Sequence, residues 1–190
     1  MSSFIPFDFT KRTKEQIKAS YGNNFKSMMF IGPDKTHIYR LGAGITSATP
    51  SNADTMTTYS YLIDQGGSEN DQTQKAVSYA LAGNRSFGDP AQEFIADQDS
   101  IMNASAYFIF VLEDGSQIEG IGTLSNIIDH GGDMNARNTF SFTFTFDGIP
   151  FRFSPEHYDM SKQGGTYTDI TADGVIQDTY TRTDPNVSSH

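Results

Sequence analysis

The sequence predicts a mainly β domain, a β-sandwich or partial barrel with one short α-helix on its flank, and three stretches carry that prediction. "TFSFTFTF" sets Phe140, Phe142, Phe144 and Phe146 on one side of a strand and Ser or Thr on the other. This is the period-2 alternation of a strand with one face on a core. "AYFIFVL", Ala106 to Leu112, is apolar throughout, so this strand is predicted to be covered on both faces. "GDPAQEFI" reads as a helix start, with Asp89 as N-cap, Pro90 as first helical residue and Gln92 placed to reach back to the cap. Ala91, Phe94 and Ile95 then share one face of that helix.

The remaining elements follow in order. In "TKEQIKASYGN", Thr13 and Gln16 fit a capping box and Gly22 a helix end, so a short helix is expected there. "SMMFI" and "THIYRLGAG" read as short strands punctuated by Gly32-Pro33, Gly42 and Gly44. "GITSATPSNADTMT" is polar and is predicted to be a mobile loop. "TTYSYLID" alternates well enough for a strand, and "QGGSENDQ" is a polar turn. "TQKAVSYALAG" is ambiguous: Val77, Tyr79 and Leu81 line one face at period 2, yet Ala76, Val77, Ala80 and Leu81 would line a helix.

At the corner between that segment and the helix, Gly88 permits a sharp entry, and Arg85 is expected to pair with Asp89 across the turn. Asp114-Gly115 suggests a two-residue type I′ hairpin turn. Gly120 and Gly122 mark a bulge or a close backbone approach in the return strand. "DHGGDMNARN" is a loop. Beyond Phe153 the chain turns rich in Thr, Asp and Gly and reads as an extension that borders the core or lies along a partner.

The chain of 190 residues is long enough for one well-buried domain. Its 15 Phe and 9 Tyr supply bulky core material in place of Trp, which is absent. The net charge of −10 is unevenly spread. Residues 1–40 carry seven Lys or Arg against three acids, a balance of +4, and the remainder stands at −14. So acidic a body does not grip nucleic acid, because phosphate affinity rests on Lys and Arg. It suits solubility, a contact with the basic end of a second copy, or a surface that repels DNA.

No run approaches the roughly 18 apolar residues of a membrane span, and "MSSFIPFDFTKRTK" lacks the order of a secretory signal. Without Cys there are no disulfides, thiol chemistry or Cys-ligated metals. His37, His130, His157 and His190 are scattered, with no metal-binding spacing. "GAGITS" and "GIGTLS" fall short of a dinucleotide fingerprint. Asp64, Glu69 and Asp71, or Asp129 and Asp133, could contribute to an oxygen cage for calcium, but neither set matches the twelve-residue calcium loop, and solvated turns describe them better. No catalytic, cofactor or metal residue is assigned, and no enzyme is expected.

The order of pieces resembles the major tail protein, or tail tube protein, of long-tailed bacteriophages. The resemblance covers about residues 36 to 150. It rests on Gly83-Asn84-Arg85 with Gly88-Asp89-Pro90-Ala91-Gln92, on the strands around them, and on "DGIP" from Asp147 to Pro150. It implies a tail tube fold that closes into hexameric rings, stacked into a hollow tube whose acidic lumen lets DNA pass without specific binding. It makes residues 73 to 82 a strand leading into a helix at 90 to 97, and it makes Gly83, Arg85, Gly88, Asp89, Pro90 and Gln92 structural and not catalytic.

Residues 1–35 would form an N-terminal arm with a short helix, 36–153 the tube domain, and 154–190 a C-terminal extension that a minimal tube protein lacks. The partners implied are further copies of the chain, a tape measure protein and tail-end proteins, in a virion tail assembled in the host bacterial cytoplasm. The competing reading is a receptor- or carbohydrate-binding module using Tyr59, Tyr61 and Tyr79.

Overall fold

The computed structural model describes residues 27–60, 67–154, 165–170 and 176–182. The helix expected over Thr13 to Gly22, and with it Tyr61, Asp64, His157 and His190, lies outside them. In chain order the elements are β1 (Met28–Asp34), β2 (His37–Leu41), β3 (Ile45–Tyr59), β4 (Glu69–Asn84), α1 (Pro90–Asp97), β5 (Ser105–Val111), β6 (Gln117–Ile128), β7 (Thr139–Phe146), β8 (Phe151–Phe153), β9 (Gly165–Ile170) and β10 (Ile176–Arg182). The chain is mainly β with one short helix among the described residues.

Seven strands run β2-β1-β5-β6-β7-β4-β3 in one antiparallel sheet, and β8 pairs with β6 beyond the end of β7. A separate two-stranded ribbon joins β9 to β10. The sandwich expectation therefore holds in its coarser form: the core is enclosed by one open sheet that bends on itself. Tyr79 on β4 stacks on Phe110 of β5 with ring centroids 5.3 Å apart, although β6 and β7 stand between those strands. In a flat sheet three strand spacings would separate them by ~14 Å. Curling brings the two halves face to face, as in a partial barrel.

The concave face holds the larger core. Phe140, Phe142, Phe144 and Phe146 all point into it from β7 and meet Val77, Tyr79 and Leu81 of β4 and Phe108 of β5. Period 2 thus decides the ambiguous segment in favour of strand. β5 is buried on both sides: Ala106 and Phe108 enter this core, while Tyr107, Ile109 and Val111 join Met28, Phe30, Ile38 and Ile170 on the convex face. The hydrophobic run at 106–112 is explained by that double cover. Ile170 ties the C-terminal ribbon to the convex cluster. β1 falls within residues 1–35, yet it is an inner strand between β2 and β5.

Two local expectations are corrected. Residues 45–56 are not a loop but most of β3, which pairs with β4 from Ile45↔Gly83 to Tyr59↔Glu69. The Asp114-Gly115 turn is not type I′. Of the two, only Gly115 has a positive φ, +85°, whereas type I′ needs it at both central residues. Glu113, Asp114 and Gly115 instead form a three-residue loop, closed by bonds from Gly115 N–H to Leu112 O (3.0 Å) and from Leu112 N–H to Ser116 O (2.8 Å). The Asp114 carboxylate accepts from Ser116 N–H at 2.9 Å.

Candidate assembly surface

The 83–92 motif is the corner where the chain leaves β4 for α1, and it also clamps the seam of the curled sheet. β2 and β3 are the two outermost strands, yet only Gly42, Ala43 and Gly44 separate them in sequence. Three residues span at most ~13 Å from strand end to strand end, so the curl must bring the edges together here. Gly44 makes the approach possible, with φ +70° and a carbonyl that accepts from Asn84 N–H at 2.8 Å. A Cβ on Gly83 would lie 2.1 Å from Gly44 O, which no real side chain tolerates.

Gln92 is fully buried and fastens the seam. Its Nε2 donates to Ala43 O at 2.5 Å and Asn84 O at 3.3 Å, while its Oε1 accepts from Ser86 N–H at 2.7 Å. The side chain therefore turns inward and does not reach back to the cap. Asp89 caps α1 by accepting from Gln92 N–H at 3.0 Å, with Pro90 in the first turn, and Gly88 enters at φ +82°.

Arg85 does not pair with Asp89, whose carboxylate already serves the cap. It pairs with Glu93, Nη2 to Oε2 at 2.9 Å, and its guanidinium lies between the rings of Phe87 and Phe140. The Gly88 N–H, and then Arg85, hold the Glu93 carboxyl below its usual range. Glu93 and Gly44 escaped the sequence reading. No local spacing links Arg85 to a residue eight positions on, and Gly44 looked like ordinary strand punctuation.

The second feature is an arm. The β4–β7 ladder stops at Ser78↔Thr145, whereas the β3–β4 ladder continues to Tyr59↔Glu69. From Val77 outward the two strands project about 27 Å beyond the sheet, at ~3.4 Å per residue. Asn52–Thr58 and Glu69–Lys75 are almost wholly exposed. The backbone ladder holds them, helped by threonine hydroxyls: Thr58 Oγ1 donates to Asn70 Oδ1 at 2.7 Å and Thr73 Oγ1 to Thr55 O at 3.2 Å.

A third feature lies on the convex face. The carboxylate of Glu119, on β6, is buried, accepts from Gln117 Nε2 and pairs with Lys35 Nζ at 2.7 Å. Burial and the neighbouring Glu119 carboxylate push the Tyr107 hydroxyl well above its usual pKa. Burial also raises that of Tyr79, which lies in the core and offers no platform to a sugar. Among the described residues no three His, Cys, Asp or Glu side chains gather as a metal site, and no helix is long and apolar enough to cross a membrane. Asp129 contacts His130, which lowers the pKa of its carboxyl.

The described fold, a curled antiparallel sheet with one flanking helix, is similar to that of chains in solved particle structures. One solved structure with this fold is a chain from the tail of an empty gene transfer agent particle, obtained by helical refinement with C6 symmetry. It is 16% identical, with a TM-score of 0.57, over 68% of this chain and 97% of that one. A chain from the virion of a native gene transfer agent particle is 17% identical, with a TM-score of 0.54, over 66% and 95%. No family model matches the sequence, and neither does any curated protein. At this identity the likeness is one of fold, and it agrees with the resemblance to tail tube proteins drawn from the residues.

Proposed function

We propose that this chain is a structural protein of a virion tail, polymerising as stacked hexameric rings into a hollow tube through which DNA passes during ejection. The fold carries the reading, since it matches tail-particle chains along nearly their whole length, one of them in an assembly of C6 symmetry. The arm supports it. A two-stranded ribbon with little buried side-chain surface is marginal alone, and β3 is the outermost strand of the described sheet on that side, where a strand of another copy can add. In a ring, the arm of one copy lies against the next, and such heterologous contacts close when the rotation is a sixth of a turn.

In this reading residues 1–35 are an N-terminal arm, separate from the β3–β4 ribbon, that ends in β1, 36–153 the tube body and 154–190 a peripheral extension. The basic first forty residues meet the acidic body of a neighbouring copy, and carboxylates facing the lumen keep DNA sliding. A tape measure protein inside the tube and tail-end proteins complete the partners, with assembly in the host bacterial cytoplasm before incorporation into the virion.

Negative-stain electron microscopy of the concentrated protein, with sizing in parallel, tests this. Rings or hollow tubes are the expected outcome. Closed dimers at every concentration would sink the reading, because an isologous pair uses up its surface and cannot propagate.

A further inference from the structure

Lys35, Gln117 and Glu119 meet on the convex face in a way that an ion pair alone does not explain. Gln117 and Glu119 stand two apart on β6, so they share one face of the strand, and each is 1% exposed. Lys35 and Thr36 form the two-residue turn between β1 and β2. Asp34 fixes that turn by accepting from Thr36 N–H at 2.7 Å and His37 N–H at 2.9 Å. From there the Lys35 stem crosses β5, with Nζ 5.8 Å from the Tyr107 ring centroid, to reach Glu119 on β6.

One carboxylate thus joins two groups that can react with each other. Glu119 Oε1 holds the Lys35 amine at 2.7 Å, and Oε2 accepts from the Gln117 amide. Gln117 Oε1 is buried and has no hydrogen-bond partner among the described residues, a costly state that the ion pair does nothing to relieve. We propose that Lys35 and Gln117 join in an intramolecular isopeptide bond, with Glu119 as the acid–base group. The inference stands apart from the tube reading.

The reaction balances without a co-reactant. Glu119 takes a proton from the Lys35 ammonium, leaving an amine with a free electron pair. With Oε1 unheld, the Gln117 amide can turn on its last bond and offer Cδ to that amine. Attack needs Nζ within ~3–3.5 Å of Cδ, an approach the flexible lysine stem makes by changing rotamer. The C–N bond forms as the C=O pair moves onto Oε1. On collapse the Glu119 carboxyl gives its proton to Nε2 and takes one from Nζ. The Cδ–Nε2 bond breaks, the C=O re-forms, and ammonia carries the last proton from Glu119 to solvent as ammonium. Burial of Gln117 and Glu119 keeps water from hydrolysing the amide instead. The Lys35 side chain, 29% exposed, leaves ammonia a way out. The bond ties the β1–β2 turn to β6 across β5.

Intact-mass and peptide mass spectrometry of the full-length chain, followed over several days after purification, tests this. Wild type should become lighter by one ammonia, about 17 Da, and a digest should yield a branched peptide joining Lys35 to Gln117. Glu119→Gln keeps the shape but cannot take the proton, and it should form the bond about a hundred-fold more slowly. Full mass in wild type overturns the proposal, as does conversion of Glu119→Gln at the wild-type rate. Loss of water with Lys35 joined to Glu119 also overturns it, because the carboxylate is then consumed. Should Glu119→Gln fail to fold, Lys35→Arg decides. Arginine keeps a cation beside Glu119 without an attacking amine, so this variant must retain its full mass, and loss of ammonia at Gln117 in it rejects the bond.

Discussion

At Gln92 one buried amide donates to two carbonyls and accepts from a backbone N–H at the corner. Gln92→Leu keeps most of the volume but orphans Ala43 O, Asn84 O and Ser86 N–H. With each hydrogen bond contributing ~0.5–1.5 kcal/mol, losing the three should cost about 3 kcal/mol in denaturant unfolding. Glu93 adds a pH signature. Its pKa is lowered in the folded state, so its contribution is present above the unfolded value near 4.5 and is lost as pH falls through the folded one. Stability measured from pH 6 down to 3 should therefore fall less steeply in Glu93→Gln than in wild type. The positions of Asp89, Pro90 and Gly88 were legible in the sequence because capping is a local matter. The inward turn of Gln92 was not, because its acceptor Ala43 lies 49 residues away.

Among the elements, β7 and α1 declared themselves through burial, which imprints a period on the sequence. The arm did not. Its strands bury little, so Asn52–Thr58 and Glu69–Lys75 carry no apolar alternation, and composition alone made the first of them resemble a loop. Backbone pairing, which leaves no compositional trace, holds them as strands. The same independence from the core makes the arm separable from stability. Successive strand residues direct their N–H groups to opposite edges, so Asn70→Pro/Asp71→Pro must remove one donor facing β3. The thermal midpoint should move by only a few degrees, as for substitutions at exposed sites, while rings or tubes disappear from micrographs. Normal assembly by this variant would remove the arm from the proposed interface.

For the whole molecule, the mainly β character and the helix at 90–97 were legible, whereas the joining of the described core strands into one curled sheet was not. Alternation shows that a strand has a buried face, but not whether that face meets a second sheet or the far side of its own. Burial on both faces of the sheet also governs the response to alkali. Tyr107 and Tyr79 are held neutral in the folded state, with pKa values raised by burial and, at Tyr107, by Glu119. Unfolded tyrosines ionise near pH ~10. The stabilisation is therefore full below that value and declines as pH rises toward the folded pKa values. Denaturant midpoints should hold between pH 7 and 9 and fall above 10, with a shallower fall in Tyr107→Phe.

β4 runs from Glu69 in the arm, past a bulge at Thr73, through the core to Asn84, whose carbonyl is held by Gln92. Arm and seam are therefore the two ends of one rod. A load applied at Glu69 travels along one strand, with no loop between it and the clamp at the corner. A neighbour that pulls on the arm is, mechanically, pulling on the joint that keeps the sheet curled.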